Sequence, residues 1–278
     1  PPFYRDAAEG LNVTLTVAQA RRLAAYAAAR YGAYPVVWLL TGDIAFVNPE
    51  DEETYGAIAA GLLEASFVRA PMTGHINGDM AVRPRLARQP WVDFHMYQSC
   101  HFDHGVGFPA AYARAARALK PARPVINGEQ CYEQMPRIFG EGRFSREDVR
   151  RAAWEAVLAG ATGVTYGAHG IWPGYRDNVT YPAAVIWKTP PRWNEALAFP
   201  GADDVARMKQ ALEALPWWDL EEAPDLPIAE AEAEPATVAR LGERHILAYL
   251  PQARPLRLTD PLLAGVAARW FDPAHGGP

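Results

Sequence analysis

The chain carries only two cysteines in 278 residues, too few for a disulfide framework or a cysteine-built zinc site. Cys100 and Cys131 each fall just past a predicted strand end. They read as two buried thiols, with a disulfide between them as the alternative. No apolar run reaches membrane-spanning length, and no secretory leader opens the chain. The first residues also lack the strand that such a fold would start with, so the N-terminal part reads as removed and localisation stays open. Long basic stretches are missing too, and the formal net charge is −5. This balance argues against nucleic acid or a membrane surface as partner. No Gly-x-Gly-x-x-Gly follows the first strand and no lysine-bearing phosphate loop occurs, which weighs against nucleotide sites. His-Glu-x-x-His is absent as well, and neither a metal nor a cofactor is expected.

What is present is an ordinary globular composition, 50% hydrophobic and 21% charged, with nine Trp and twelve Tyr. Several of these rings sit beside turn residues, where they suit stacking on flat or sugar ligands. Apolar strand-length runs begin near residues 36, 71, 92, 124 and 163 and alternate with helical patterns. Thr16-Val-Ala-Gln19 is a capping box for a helix to about Tyr31, with Val17, Ala20, Ala24, Ala27 and Tyr31 on one face and Gly32 at its end. Pro35–Thr41 is continuously apolar, the pattern of a strand covered on both faces. Asn48-Pro49 opens a second helix to about Ala65, and Ser145 caps another that reaches Ala159. A further helix is expected from about Ala202 to Leu215, whereas residues 1–15 read as a loop.

Strands alternating with helices predict a parallel sheet. Polar residues at the ends of several different strands favour a (β/α)8 TIM barrel over an open sheet. Five strands do not close such a barrel, so the first three βα units are expected to lie outside this chain. The barrel part is expected over residues 1–222 and an acidic linker over 223–235. From 236 to 278 the chain reads as the start of a C-terminal β-sandwich, with strands at 236–241, 245–250, 255–259 and 264–270.

Two acids stand at strand ends, Asp43 after Pro35–Thr41 and Glu129 after Pro124–Ile126. Counted with three missing units, these are strands four and seven, where many retaining glycosidase barrels carry the acid/base and the nucleophile. A carboxylate pair about 5–5.5 Å apart supports a covalent glycosyl intermediate, and a wider pair of about 6.5–9.5 Å admits a water. Outside catalysis Asp43 would cap the next helix, and Glu129 would cap a turn or pair with an arginine. Glu133 is the rival to Glu129, placed second because it lies four residues beyond. His75 and Asn77 follow strand five, while His95, Gln98 and His101 line or follow strand six. Tyr132 and Glu133 flank the nucleophile, and His169 with Trp172 follow strand eight. An apolar setting beside Trp38, or a neighbouring carboxylate, is expected to let Asp43 hold a proton.

Four stretches carry a closer likeness. They are Arg30–Trp38 continuing to Gly42-Asp43, Trp91–Ser99 with His101, Asn127–Glu133, and Ala159–Trp172. In this order they resemble the apiosidase-like glycoside hydrolases, which often carry a small C-terminal β domain catalogued as collagen-binding. The resemblance implies an O-glycosidase that cleaves a terminal sugar from plant-type glycans, with Asp43 as general acid/base and Glu129 as nucleophile. The partner implied is an oligosaccharide or glycoside. Two other readings remain in play. One is a metal-dependent barrel hydrolase drawing on His75, His95, His101 or His104. The other is a carbohydrate-binding barrel without catalysis.

Overall fold

The computed structural model describes residues 5–6, 11–12, 15–78, 81–99, 101–102, 108–181, 187–227, 234–243, 245–259 and 267–277. Cys100 and His104, which the sequence singles out, lie outside the described residues. The chain forms two compact units, residues 1–98 with 115–128, and residues 99–114 with 129–278.

The first unit opens with β1 (Arg5–Asp6) and β2 (Leu11–Asn12), paired antiparallel where the sequence read as a loop. Helix α1 (Val17–Tyr31) starts at the expected capping box: Thr16 Oγ1 accepts from the Gln19 N–H, and the Gln19 side chain accepts from the Thr16 N–H. Its buried face is Ala20, Ala24 and Ala28; Ala27 is only half-buried, and Tyr31 is exposed. Small side chains suit this face because α1 packs along α2 (Pro49–Ala65). At Gly61 a Cβ would overlap the Arg21 carbonyl, so the close approach of the two helices requires glycine. Helix α2 begins as expected at Asn48, whose N–H donates to the Asp51 carboxylate at 3.0 Å.

Strand β3 (Trp38–Leu39) pairs parallel with β4 (Met72–Thr73). Beyond α3 (Pro84–Ala87) comes β5 (His95–Gln98), tied to β4 by the Asp93 N–H on the Met72 carbonyl and by the Thr73 hydroxyl on the Phe94 carbonyl. Helix α4 (Phe108–Arg117) leads to β6 (Val125–Glu129), and the His95 N–H donates to the Pro124 carbonyl. Strands β3 to β6 thus stand side by side in chain order, the signature of βαβ units. The expectation that Pro35–Thr41 is covered on both faces fails. Val37 and Leu39 are about half exposed (50% and 52%), whereas Leu40 and Thr41 are buried. Only Trp38–Leu39 pair as a strand, and their alternation sends the odd residues to solvent.

The second unit holds α5 (Arg146–Leu158), β7 (Gly163–Val164), α6 (Trp193–Ala196) and α7 (Gly201–Glu213). Ser145 caps α5 as expected. Parallel bonding continues here beyond the named strands, from the Ser99 N–H to the Glu129 carbonyl, and between residues 133 and 167–169. Strands β8 (Leu220–Glu222), β9 (Thr237–Leu241) and β10 (His245–Tyr249) form an antiparallel sheet in the order β10-β9-β8. This sheet shares a core with α5 and α7: Leu220, Ala239, Leu241 and Tyr249 meet Trp154, Leu158, Met208 and Leu212. Trp154 stacks on Tyr249 with ring centroids 6.0 Å apart and 6° between planes.

The stretch read as an acidic linker, 223–235, follows directly on β8. Leu220, Ala223 and Leu226 turn inward, and Glu222 is held by Arg114 at 2.6 Å. An acidic composition hid a segment whose apolar residues, three apart, are buried. Residues 255–259 supply a single antiparallel bridge, Leu258 to Pro227, rather than a strand. Of the stretch 264–270, residues 264–266 lie outside the described residues and 267–270 form no strand. Among the described residues no helix is long and apolar enough to cross a membrane.

Candidate active site

In the first unit the polar groups gather where strands end. The chain leaves β3 through Gly42 and turns at Asp43, whose φ of 48° lies in the left-handed region. Aspartate tolerates that region better than most residues, yet such a conformation costs about 1–3 kcal/mol and recurs at functional sites. Asp43 does not cap α2, since Asn48 and Asp51 perform that task. Its carboxylate instead faces His75 Nδ1 at 3.5 Å. His75 follows β4, and its carbonyl accepts the Thr41 hydroxyl, which fastens the end of β4 to the end of β3. The apolar enclosure expected beside Trp38 is not there, because the Asp43 side chain is 46% exposed. Trp38 Nε1 and Asn77 Oδ1 are buried without a hydrogen-bond partner among the described residues, as is Gln98 Oε1 at the end of β5. Orphaned polar atoms on neighbouring strand ends are what a polar ligand would satisfy.

His95 does not join them. It opens β5, and its Nε2 lies 3.2 Å from the Pro121 carbonyl in the segment before β6. Burial holds its pKa below the usual histidine value, the Pro121 contact opposes this, and the Arg123 charge adds to the lowering. It sits at the opposite end of the strand from Gln98. The sequence placed it with the site because one strand carries both.

Glu129 closes β6 and belongs to the second unit. His101 Nε2 lies 3.0 Å from Glu129 Oε1. The Tyr132 N–H points at His101 Nδ1 from 3.4 Å, so Nδ1 is the acceptor and Nε2 carries the proton toward the carboxylate. The imidazole is buried, with the Tyr132 ring 4.5 Å away and the Trp187 ring 5.7 Å away. Such packing leaves the donor one orientation. Just upstream, a Cβ on Gly128 would sit inside the Met96 side chain. Gly128→Ala should therefore lower stability by about 1–3 kcal/mol through overpacking, read as a shifted denaturation midpoint. An unchanged midpoint would show that Met96 swings aside freely.

Glu133 is the rival acid, and one of its oxygens is held by two donors. Its Oε2 accepts from the Tyr166 hydroxyl at 2.8 Å and from the Gly201 N–H at 2.9 Å, at the first turn of α7. Burial raises its pKa, and these two hydrogen bonds pull it back. Tyr166 is in turn raised by burial and by Glu133. Glu133 thus ties a strand to a helix start.

Beyond β7 lies His169, which is wholly buried at 0% exposure. Arg143 Nη1 approaches its Nδ1 to 3.2 Å. Its pKa falls to about 4, chiefly through burial, then through the Arg143 charge, with the Gln134 carbonyl opposing. Tyr181 lies 6.3 Å from the His169 ring, and Trp172 and Tyr175 meet Tyr181 edge-on. Trp172 remains 44% exposed, an open indole face. Arg143, Tyr181 and Trp187 were not singled out from the sequence. The aromatic loop before α7 held a hint of the two rings, but nothing marked Arg143, whose contacts all come from residues distant in the chain.

The catalytic-domain pattern of the apiosidase-like family matches residues 3–219. The chain belongs to the apiosidase-like family. Two solved structures resemble this apiosidase-like domain closely in fold. One is described as a glycoside hydrolase, with 25% identity, a TM-score of 0.76, and coverage of 87% of this chain and 57% of that one. The other is described as a glycoside hydrolase family 5 protein from Bacteroides vulgatus ATCC 8482, with 24% identity and a TM-score of 0.77. Its alignment covers 90% of this chain and 57% of that protein. The apiosidase-like domain thus spans a little over half the length of these structural relatives. No curated protein matches the chain.

Proposed function

We propose that this apiosidase-like domain is a glycoside hydrolase whose parallel strands belong to a (β/α)8 barrel, and that it removes a terminal sugar from a plant-type glycan. Glu129 attacks the anomeric carbon while Asp43 protonates the departing glycosidic oxygen. The carbon–oxygen bond breaks and a glycosyl ester forms on Glu129. Asp43, now a carboxylate, takes a proton from water, and the water oxygen displaces Glu129 with net retention. No cofactor takes part. The observation that carries this reading is the setting of Glu129, a strand-end carboxylate that accepts from the Nε2–H of the buried His101 ring. A nucleophile needs that setting, because it must stay ionised yet keep a lone pair for carbon. His75 positions Asp43, and Trp38, Asn77 and Gln98 bind the sugar. Tyr132 and Trp172 line its apolar face, while Glu133 supports the Glu129 strand from behind.

A panel of p-nitrophenyl glycosides and plant-polysaccharide oligomers tests the activity. With the cleaved compound in hand, proton NMR of the first-formed anomer should show retention, and inversion would remove the covalent route. A chelator should leave the rate unchanged; loss of activity that added divalent metal restores would replace Glu129 chemistry with a metal-activated water.

A further inference from the structure

His169 is in an unusual position for a buried ring. Its Nδ1 lies 3.2 Å from the Arg143 guanidinium, which has only N–H donors, so a hydrogen bond between them makes Nδ1 the acceptor. An N–H at Nδ1 would set two donors head to head. The Gln134 carbonyl, which takes Arg143 Nη1 at 2.6 Å, is the competing acceptor for a proton on Nδ1, and the tautomer measured by NMR separates the two arrangements. Arg143 is itself anchored at its far end, where Nη2 donates to the Thr189 carbonyl at 2.9 Å. With Nδ1 accepting, the imidazole proton sits on Nε2, and that atom is buried with no partner among the described residues. A buried donor left unmade is costly, and proteins keep such groups where a ligand supplies the acceptor. Around the ring stand Tyr181 and, one ring further out, the half-open face of Trp172. A donor edge beside an aromatic face matches a pyranose or furanose ring, which offers hydroxyls at its rim and C–H groups on its face.

We propose that Arg143 is a positioning residue that locks His169 as a neutral Nε2–H donor to a hydroxyl of the bound sugar. The sugar half of this proposal rests on the glycosidase reading above. Long-range proton–nitrogen NMR of the whole chain reads the tautomer directly. The wild type should show His169 as neutral Nε2–H at pH 7, and Arg143→Met should give a mixture of tautomers. The Nε2–H signal should move on adding the monosaccharide released from whichever p-nitrophenyl glycoside the wild type cleaves. In kinetics on that glycoside, His169→Gln, which keeps a donor near Nε2, should stay within about threefold of wild type. His169→Leu and Arg143→Met should lose about tenfold or more in kcat/KM with unchanged circular dichroism. A wild-type Nδ1–H tautomer, an unimpaired His169→Leu, or a Gln variant as poor as the Leu variant would each overturn the proposal. If no glycoside is cleaved, the glycosidase reading fails and takes the sugar half with it, while the tautomer measured without sugar still decides the role of Arg143.

Discussion

Glu129→Ala is expected to abolish turnover, with kcat lowered by roughly 10⁴-fold or more, the scale on which losing a covalent nucleophile falls. The fold should survive, since alanine fits the end of β6 and the buried His101 ring keeps its packing against Tyr132 and Trp187. Sugar binding, read by calorimetry, should persist. Azide added to the variant should restore cleavage of an aryl glycoside bearing a good leaving group and yield a glycosyl azide, because a small anion fits the vacated space. Asp43→Ala should behave differently. Its loss should cost about 10²–10⁴-fold on substrates whose leaving oxygen needs a proton and far less on a dinitrophenyl glycoside, which leaves unassisted. Hydrolysis unchanged in both variants would end the enzyme reading and favour a binding domain.

The largest effect on stability should come from Asp204→Ala, a residue no chemistry requires. Asp204 is at 0% exposure in α7, yet three arginines converge on it. Arg146 reaches it through two nitrogens at 2.6 and 2.7 Å, Arg150 at 2.8 Å and Arg207 at 3.0 Å. Arg146 also donates to the Ala274 carbonyl at 2.7 Å, which brings the end of the chain into the same network. Removing the carboxylate leaves three cations close together without their shared anion. Breaking a buried pair by deleting one partner costs about 3–5 kcal/mol, and here the residual charges repel. Chemical denaturation should show a loss of that size, with Asp204→Asn in between because its amide oxygen still accepts. A loss under about 1 kcal/mol would mean that water enters and solvates the arginines.

The helices were legible because their signals are local. Thr16 with Gln19, Asn48 with Pro49 and Ser145 with Asp148 satisfy amides within a few residues, and α1, α2 and α5 begin where those residues stand. The positions of β3 to β7 were legible to within a few residues, but burial was not. Pro35–Thr41 is apolar throughout, and only packing decides that Val37 and Leu39 face water while Leu40 does not. The acidic stretch after Trp217 shows the reverse error, since charge there concealed the inward turn of Leu220, Ala223 and Leu226.

At the candidate site the same division holds, and its cause is range. The sequence by itself determined the family, the two strand-end acids and the succession of βα units, since each is written in contiguous motifs. Tertiary structure alone decided the partners of those acids. Asp43 meets His75 from the next strand, Glu129 meets His101 from across 28 residues, and Glu133 spends its carboxylate on Tyr166 and the start of α7. It also decided that His95 is tied to Pro121 and that Arg143 orients His169. Hydrogen bonds reach about 3 Å, so a side chain's role is set by which distant backbone the fold brings within that distance.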